Sequence, residues 1–169
     1  MTPIRVAAAV VRRDDTILLV RQQGPEPATP NWALPGGRVL PEEPIVAALY
    51  REVREETGLR VTSVGRLAWA VEVRSLHQPD ILALVYEAVV SPGDPRPDDP
   101  DGFVTEARFV DSADAARLIE ATLPWRSMSE PLLAYLRGSA EPGTNWFYRT
   151  GGGDVELLEL ALPPGSKRR

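Results

Sequence analysis

The sequence predicts one domain of the α/β (α+β) class, and three observations carry this. Short apolar, β-branched runs recur along the chain, bounded by Asp, Gly and Pro turn signals. A strongly patterned helix stands between the early strands and the later ones. The length, 169 residues and 18.5 kDa, suits a single unit with one full core.

Residues 4–12 contain the run VAAAVV and read as a buried strand. Asp14-Asp15 is a turn, and residues 16–22 (TILLVRQ) are the hairpin partner. Arg21 ends that strand where the chain heads for a glycine pair. Residues 24–31 (GPEPATPN) form a loop by composition. Residues 32–35 (WALP) read as a short strand feeding Gly36-Gly37. Trp32 reads as a core-edge residue, with stacking on a base as its alternative. The two glycines allow a positive φ or a close backbone approach.

A helix is expected over residues 44–57, with Pro44 at its first position and Gly58 closing it. At about 100° per residue from Ile45, Leu49, Val53 and Val46 fall at roughly 40°, 80° and 100° and form the core stripe. On the same scale Glu52, Glu56 and Glu55 fall at about −20°, 20° and −80°. A solvated charge run belongs opposite the stripe, near Arg54. These carboxylates instead overlap its edge. Like charges at i,i+3 and i,i+4 cost a few tenths of a kcal/mol each on a helix, and more when partly buried. A hard cation with oxygen ligands, Mg²⁺ or Mn²⁺, removes that cost.

Residues 59–74 read as one long or two short strands, and residues 80–90 as a central one. A Pro/Asp loop follows at 91–101, then a strand at 103–110 that contains Glu106. Asp111-Ser112 caps a helix over 113–122. A second helix starts at Ser127 or Ser129 and ends at Arg137, with Trp125 and Met128 packing the pair onto the sheet. Residues 145–150 and 154–162, joined by Gly151-Gly152-Gly153, read as a C-terminal hairpin. Its leucines, 157, 158, 160 and 162, need burial on the domain or on a second subunit of a homodimer. The expected division is therefore 1–138 for the main domain and 139–169 for the hairpin extension. Lys167-Arg168-Arg169 reads as a solubilising end.

A net charge of −5 and a pI near 5.0 argue against broad nucleic-acid binding, which needs a positive field. A small nucleotide remains admissible, because a bound cation inverts the local charge. The chain has no cysteine, which removes disulfides, thiolate metal sites and cysteine nucleophiles. That fits a reducing, cytoplasmic setting. The N-terminal apolar run is broken by Arg12-Arg13 too early for a signal peptide, and no stretch approaches the ~20 residues of a membrane span.

Residues 37–59 resemble the Nudix box of the Nudix hydrolase superfamily. The match consists of Gly37, Glu43, Arg51, Glu52, Val53, Glu55, Glu56, Gly58 and Leu59 at the family's spacing, with no departure. The preceding hairpin, the lead-in WALPGG and the ending up to Arg137 are also usual in that family, whereas the tail after Ser139 is not covered. The resemblance implies an α/β/α sandwich around a mixed β-sheet, with the box as a loop-helix-loop. It implies Mg²⁺- or Mn²⁺-dependent hydrolysis of a nucleoside diphosphate linked to another group. By position, Glu52 and Glu56 would be the principal metal ligands. Glu55 would be a further ligand or would activate water, and the Gly37 carbonyl would be a loop ligand. Glu43 and Arg51 would pair to hold loop and helix in register. Glu106 has two even readings, an extra ligand or base and an exposed strand carboxylate. His77 reads as a loop or strand-end residue, with substrate contact as its alternative.

The substrate is open at this stage. ADP-ribose hydrolases of this family often carry a proline about fifteen residues past the box, a region occupied here by Arg74 and Ser75. An ADP-ribose or nucleotide-sugar type substrate is slightly favoured. A (d)NTP of the nucleotide-sanitising kind is the alternative, and a non-catalytic nucleotide sensor is a third reading.

Overall fold

A computed structural model describes residues 2–23, 29–151 and 154–161. The loop at 24–28, Gly152-Gly153 and the basic end at 167–169 lie outside the described residues. The elements are β1 (Ile4–Arg13), β2 (Thr16–Gln22), β3 (Asn31–Ala33), β4 (Gly36–Arg38), α1 (Ile45–Thr57), β5 (Val61–Ser75), β6 (Ile81–Val90), β7 (Val104–Asp111), α2 (Ser112–Thr122), α3 (Arg126–Leu136), β8 (Thr144–Gly151) and β9 (Asp154–Ala161).

The strands form one mixed sheet in the order β3-β2-β1-β6-β5-β8-β9, with β4 on β1 and β7 on β2. β1 runs parallel to β6, and β5 parallel to β8, while the other pairs are antiparallel. Only Arg12↔Ile17 and Arg13↔Thr16 join β1 to β2, so the β3-β2-β7 group is a wing hinged on that hairpin.

Strand alternation sends successive side chains of β1 to opposite faces. Ala7, Ala9 and Val11 pack with Ala48, Leu49 and Val53 of α1. Val10 joins Ile17, Leu19, Ala115, Ile119 and Leu132 on the other face, under α2 and α3. One helix on one face and two on the other give the expected α/β/α sandwich. No helix among the described residues is long and apolar enough to cross a membrane.

Several local expectations need correction. The glycine pair is not only a turn: Gly36–Arg38 pairs with Val6, Ala7 and Ala8 of β1. Of the two readings of residues 59–74, the single long strand holds, as Val61–Ser75, and its three register shifts let it bend along β6. Val46 is 40% exposed and not part of the core. It lies in the first turn of α1, and Ala48 takes the burial on the other side of Leu49. Trp125 and Met128 are exposed as well. Leu123, which closes α2, and Leu132 of α3 do the packing expected of them.

The tail hairpin extends the sheet. Trp146 and Tyr148 of β8 are buried in the core under α3, and Leu157 of β9 packs against that cluster. The side chains of Leu158 and Leu160, and the whole of Leu162, lie outside the described residues.

Candidate active site

Local chemistry fixes α1 at both ends. Pro44 is the extended N-cap residue, at φ −64° and ψ 143°. Gly58 ends the helix in the left-handed region at φ 70°, its N–H donating to the Arg54 carbonyl. A β-carbon there would also lie 2.4 Å from the Arg96 carbonyl oxygen. The loop at 96–100 passes that close because its N–H groups satisfy the last carbonyls of α1. Arg96 donates to Thr57 at 2.7 Å, and Asp98 donates to Glu55 at 2.9 Å.

Arg51 is the hub of the acidic side chains. Its Nε and Nη2 donate to the two Glu43 carboxylate oxygens, each at 3.0 Å, and Nη2 also reaches the Arg38 carbonyl at 3.0 Å. Nη1 donates to Glu52 at 2.8 Å and to Glu55 at 3.3 Å. The fork thus ties the loop before α1 to the helix. Glu43 also accepts from the Leu40 N–H at 2.9 Å. The Arg51 guanidinium and that N–H hold the Glu43 carboxyl below the usual range. Glu52 is pushed up by burial, against the pull of Arg51.

Glu56 is the most buried of the carboxylates, at 7% exposed. With Leu49 and Val53 buried on one side of it and Ala48 on the other, Glu56 lies inside the buried arc of α1 and not at its edge. Its Oε2 accepts from the Gly36 N–H at 2.7 Å, and its Oε1 lies 3.5 Å from Gln22 Nε2. Burial pushes its carboxyl up to about 8, the Glu52 and Asp99 charges adding to the effect and the Gly36 N–H opposing it.

Both glycines before the helix serve close approach. A β-carbon on Gly36 would stand 2.4 Å from the Ala7 carbonyl oxygen, and one on Gly37 would stand 2.6 Å from Glu52 Oε1. The first glycine lets the strand pair with β1, and the second lets the backbone meet the Glu52 carboxylate.

The structure therefore brings Gly37, Glu43, Arg51, Glu52, Glu55 and Glu56 together. The remaining sequence candidates lie elsewhere. Arg21 and Glu106 are register partners on β2 and β7, next to the register shift between Arg21 and Gln22. Glu106 lies 3.5 Å from Arg108, whose guanidinium sits over the Trp32 ring at 4.6 Å. Trp32 itself is buried, in keeping with the packing reading. His77 is exposed in the β5–β6 turn, its N–H facing Ser75 Oγ at 3.4 Å.

Sequence reasoning missed two residues near Glu56. Gln22 had a signal, since it continues the Leu18 and Val20 alternation toward α1. Asp99 had none inside its Asp/Pro loop. It accepts from the Phe103 and Val104 N–H groups, each at 2.8 Å, which fixes the carboxylate where its charge reaches Glu56.

All these side-chain donors are hard oxygens, the chemistry that suits Mg²⁺ or Mn²⁺. Among the described residues no three of them already converge at metal-ligand spacing. Glu52 and Glu55 lean instead on Arg51.

The model of the NUDIX domain matches residues 1–133. The CTP pyrophosphohydrolase of Escherichia coli is 40% identical over 62 residues, 37% of this chain and 46% of that protein. The human 8-oxo-dGDP phosphatase NUDT18 is 44% identical over 54 residues, 32% of this chain and 16% of that protein. The chain thus spans less than half the length of these curated relatives. A NUDIX hydrolase structure from Nitrosomonas europaea shares the fold at a TM-score of 0.68 and 24% identity, covering 83% of this chain and 93% of that one. With the family model matched over most of its length, the chain belongs to the Nudix superfamily.

Proposed function

We propose that this protein hydrolyses the pyrophosphate linkage of a nucleoside diphosphate joined to a further group, using Mg²⁺ or Mn²⁺ held on α1. The observation that carries the reading is Glu56, only 7% exposed and held by the Gly36 N–H at 2.7 Å, on the same helix as Glu52, whose carboxylate the Gly37 backbone closely approaches. Two such groups on one helix face are unfavourable unless a cation or a proton compensates them. Glu52 and Glu56 are the principal ligands, with Gly37 contributing from the loop. A bound divalent cation would neutralise phosphate charge, polarise phosphorus and make a water more acidic.

The residues divide the remaining work. Glu55, with 31% of its side chain exposed against 14% for Glu52, is the member best placed to accept a proton from the attacking water. Arg51 and Glu43 hold the loop against the helix so that Gly37 stays on Glu52. Water adds to one phosphorus, the bond to the bridging oxygen breaks, and a nucleoside monophosphate leaves with a phosphorylated remainder. The activities named for the bacterial and human relatives, on CTP and 8-oxo-dGDP, support a nucleotide substrate.

The test is phosphate release, with and without added phosphatase, from ADP-ribose, nucleotide sugars, dinucleoside polyphosphates and (d)NTPs in Mg²⁺ or Mn²⁺. Glu52→Gln combined with Glu56→Gln should abolish turnover while the far-UV circular dichroism stays native. A near wild-type rate in the double variant would sink the assignment.

A further inference from the structure

We propose that Gln22 is a positioning residue for Glu56, holding its carboxylate in the orientation that a divalent cation needs. The inference rests on the hydrolase reading above and adds to it a residue outside α1 and the loop before it.

Glu56 has two hydrogen-bond partners among the described residues. Gly36 offers its backbone N–H to Oε2 at 2.7 Å, and Gln22 offers Nε2 to Oε1 at 3.5 Å. A carboxylate has about four lone-pair sites on its two oxygens, so one donor on each still leaves one site on each. The two donors come from different strands, β4 and β2, and together they set the plane of the carboxylate. The Gln22 contact is long, so it steers Oε1 without closing it to a cation.

The backbone of the wing is shaped to present this side chain. Arg21 pairs with Glu106 of β7 but Gln22 pairs with Val104, so Thr105 is an extra residue at that point. The Thr105 hydroxyl donates to the Arg21 carbonyl at 3.3 Å. A bulge of this kind bends a strand and re-aims its side chains. The chain is fastened again at once, the Gln23 N–H donating to the Phe103 carbonyl at 2.8 Å. Gln22 stands at the end of β2 away from the two residue pairs that join β2 to β1, so its amide ties the free end of the wing to α1.

A second observation shows what the contact costs. Gln22 and Asn31 are register partners on β2 and β3, and residues directly opposite share a face of the sheet. The β-carbons of such a pair stand about 5 Å apart, within reach of a glutamine amide. Asn31 is 6% exposed, and its Oδ1 has no hydrogen-bond partner. The Gln22 amide turns to Glu56 and leaves this buried acceptor unsatisfied, an arrangement that lowers stability. The orphaned acceptor is explained once the amide is committed to Glu56.

The experiment measures Mn²⁺ affinity by calorimetric titration, and the melting temperature without metal, for wild type, Gln22→Met and Asn31→Leu. Gln22→Met keeps the length of the side chain and removes the donor. It should weaken Mn²⁺ binding about 10- to 100-fold, the usual cost of losing a ligand's supporting partner, while the metal-free melt stays within a few degrees of wild type. Gln22→Asn keeps the amide but withdraws it by one methylene; it carries the same expectation and decides the matter where Gln22→Met does not fold. Asn31→Leu removes the orphaned acceptor and should melt above wild type with Mn²⁺ affinity changed by no more than about twofold. Unchanged Mn²⁺ affinity in Gln22→Met overturns the assignment. An equal loss in Asn31→Leu also overturns it, because the effect would then come from the shape of the wing and not from the Gln22 donor. A wild type that binds no Mn²⁺ removes the cation reading itself, and the role of Gln22 falls with it.

Discussion

Glu56 shows at the scale of one residue why an acid is kept inside a helix face. Its position within the buried arc of α1 would suit leucine, and the burial that raises its carboxyl to about 8 opposes its charge. One backbone N–H, from Gly36, is aimed at it at 2.7 Å. Gly37 plays the matching part for Glu52, and its φ lies outside the left-handed region, so alanine there is limited by space alone. Gly37→Ala would place a methyl 2.6 Å from Glu52 Oε1 and force that carboxylate aside. We expect turnover to fall about 10- to 100-fold, the usual cost of disturbing a ligand's support. The melting temperature should stay within a few degrees of wild type. A steady-state assay with a thermal melt on the same sample checks this, and unchanged turnover would show that Glu52 needs no backbone beside it.

The elements were legible where pattern and punctuation agreed. α1 was bounded to within one residue, because Pro44 and Gly58 act through local backbone geometry that any context preserves. β2 and the α2 cap at Asp111 were equally local. Val46, Trp125 and Met128 were misjudged because their burial depends on how far the sheet extends beneath each helix, which no helical angle contains. Gln22 and Asp99 reach Glu56 only through the pairing of the wing with the main sheet. The junction of α3 with the sheet carries a pH prediction of its own. Glu87 of β6 accepts from the Arg66 guanidinium at 3.0 and 3.1 Å and from the Tyr135 hydroxyl of α3 at 2.6 Å. Partial burial pushes its carboxyl up, but those partners outweigh it and hold it below the ordinary 4.5. A depressed folded pKa adds stability that is fully present above the unfolded value and is lost as pH falls through the folded one. Glu87→Gln should therefore melt below wild type at pH 7, and the gap should close on titration toward pH 3. A gap that stays constant with pH would mean that the carboxylate's charge plays no part in the junction.

At the scale of the whole molecule, the family match ends at residue 133 while the sheet continues. The hairpin at 144–161 was legible as two strands around a glycine turn, but its attachment was not. Parallel pairing with β5 depends on the distant register Trp69↔Thr144 through Ser75↔Thr150, which carries no local signal. That register buries Tyr148 completely and Trp146 almost so, stacked 6.4 Å apart beneath α3. Tyr148 also donates to Glu130 of α3 at 3.1 Å. We propose that residues 139–169 act as an extension that completes the domain and does not serve as a separable module. Two large aromatic side chains leaving the core would cost about 3–5 kcal/mol each on substitution scales, a large part of a typical domain's stability. Deletion would also uncover residues 69–75 of β5 as a free edge open to pairing with a second copy. Deleting 139–169 should therefore lower the urea midpoint steeply and shift the protein toward dimers or aggregates in size-exclusion chromatography. Tyr148→Phe, which removes only the hydroxyl contact to α3, should cost about 1–2 kcal/mol and leave the elution volume unchanged. A truncated protein that stays monomeric with the wild-type midpoint would mean that the core closes at α3, and the hairpin would then be an independent addition to a domain already complete.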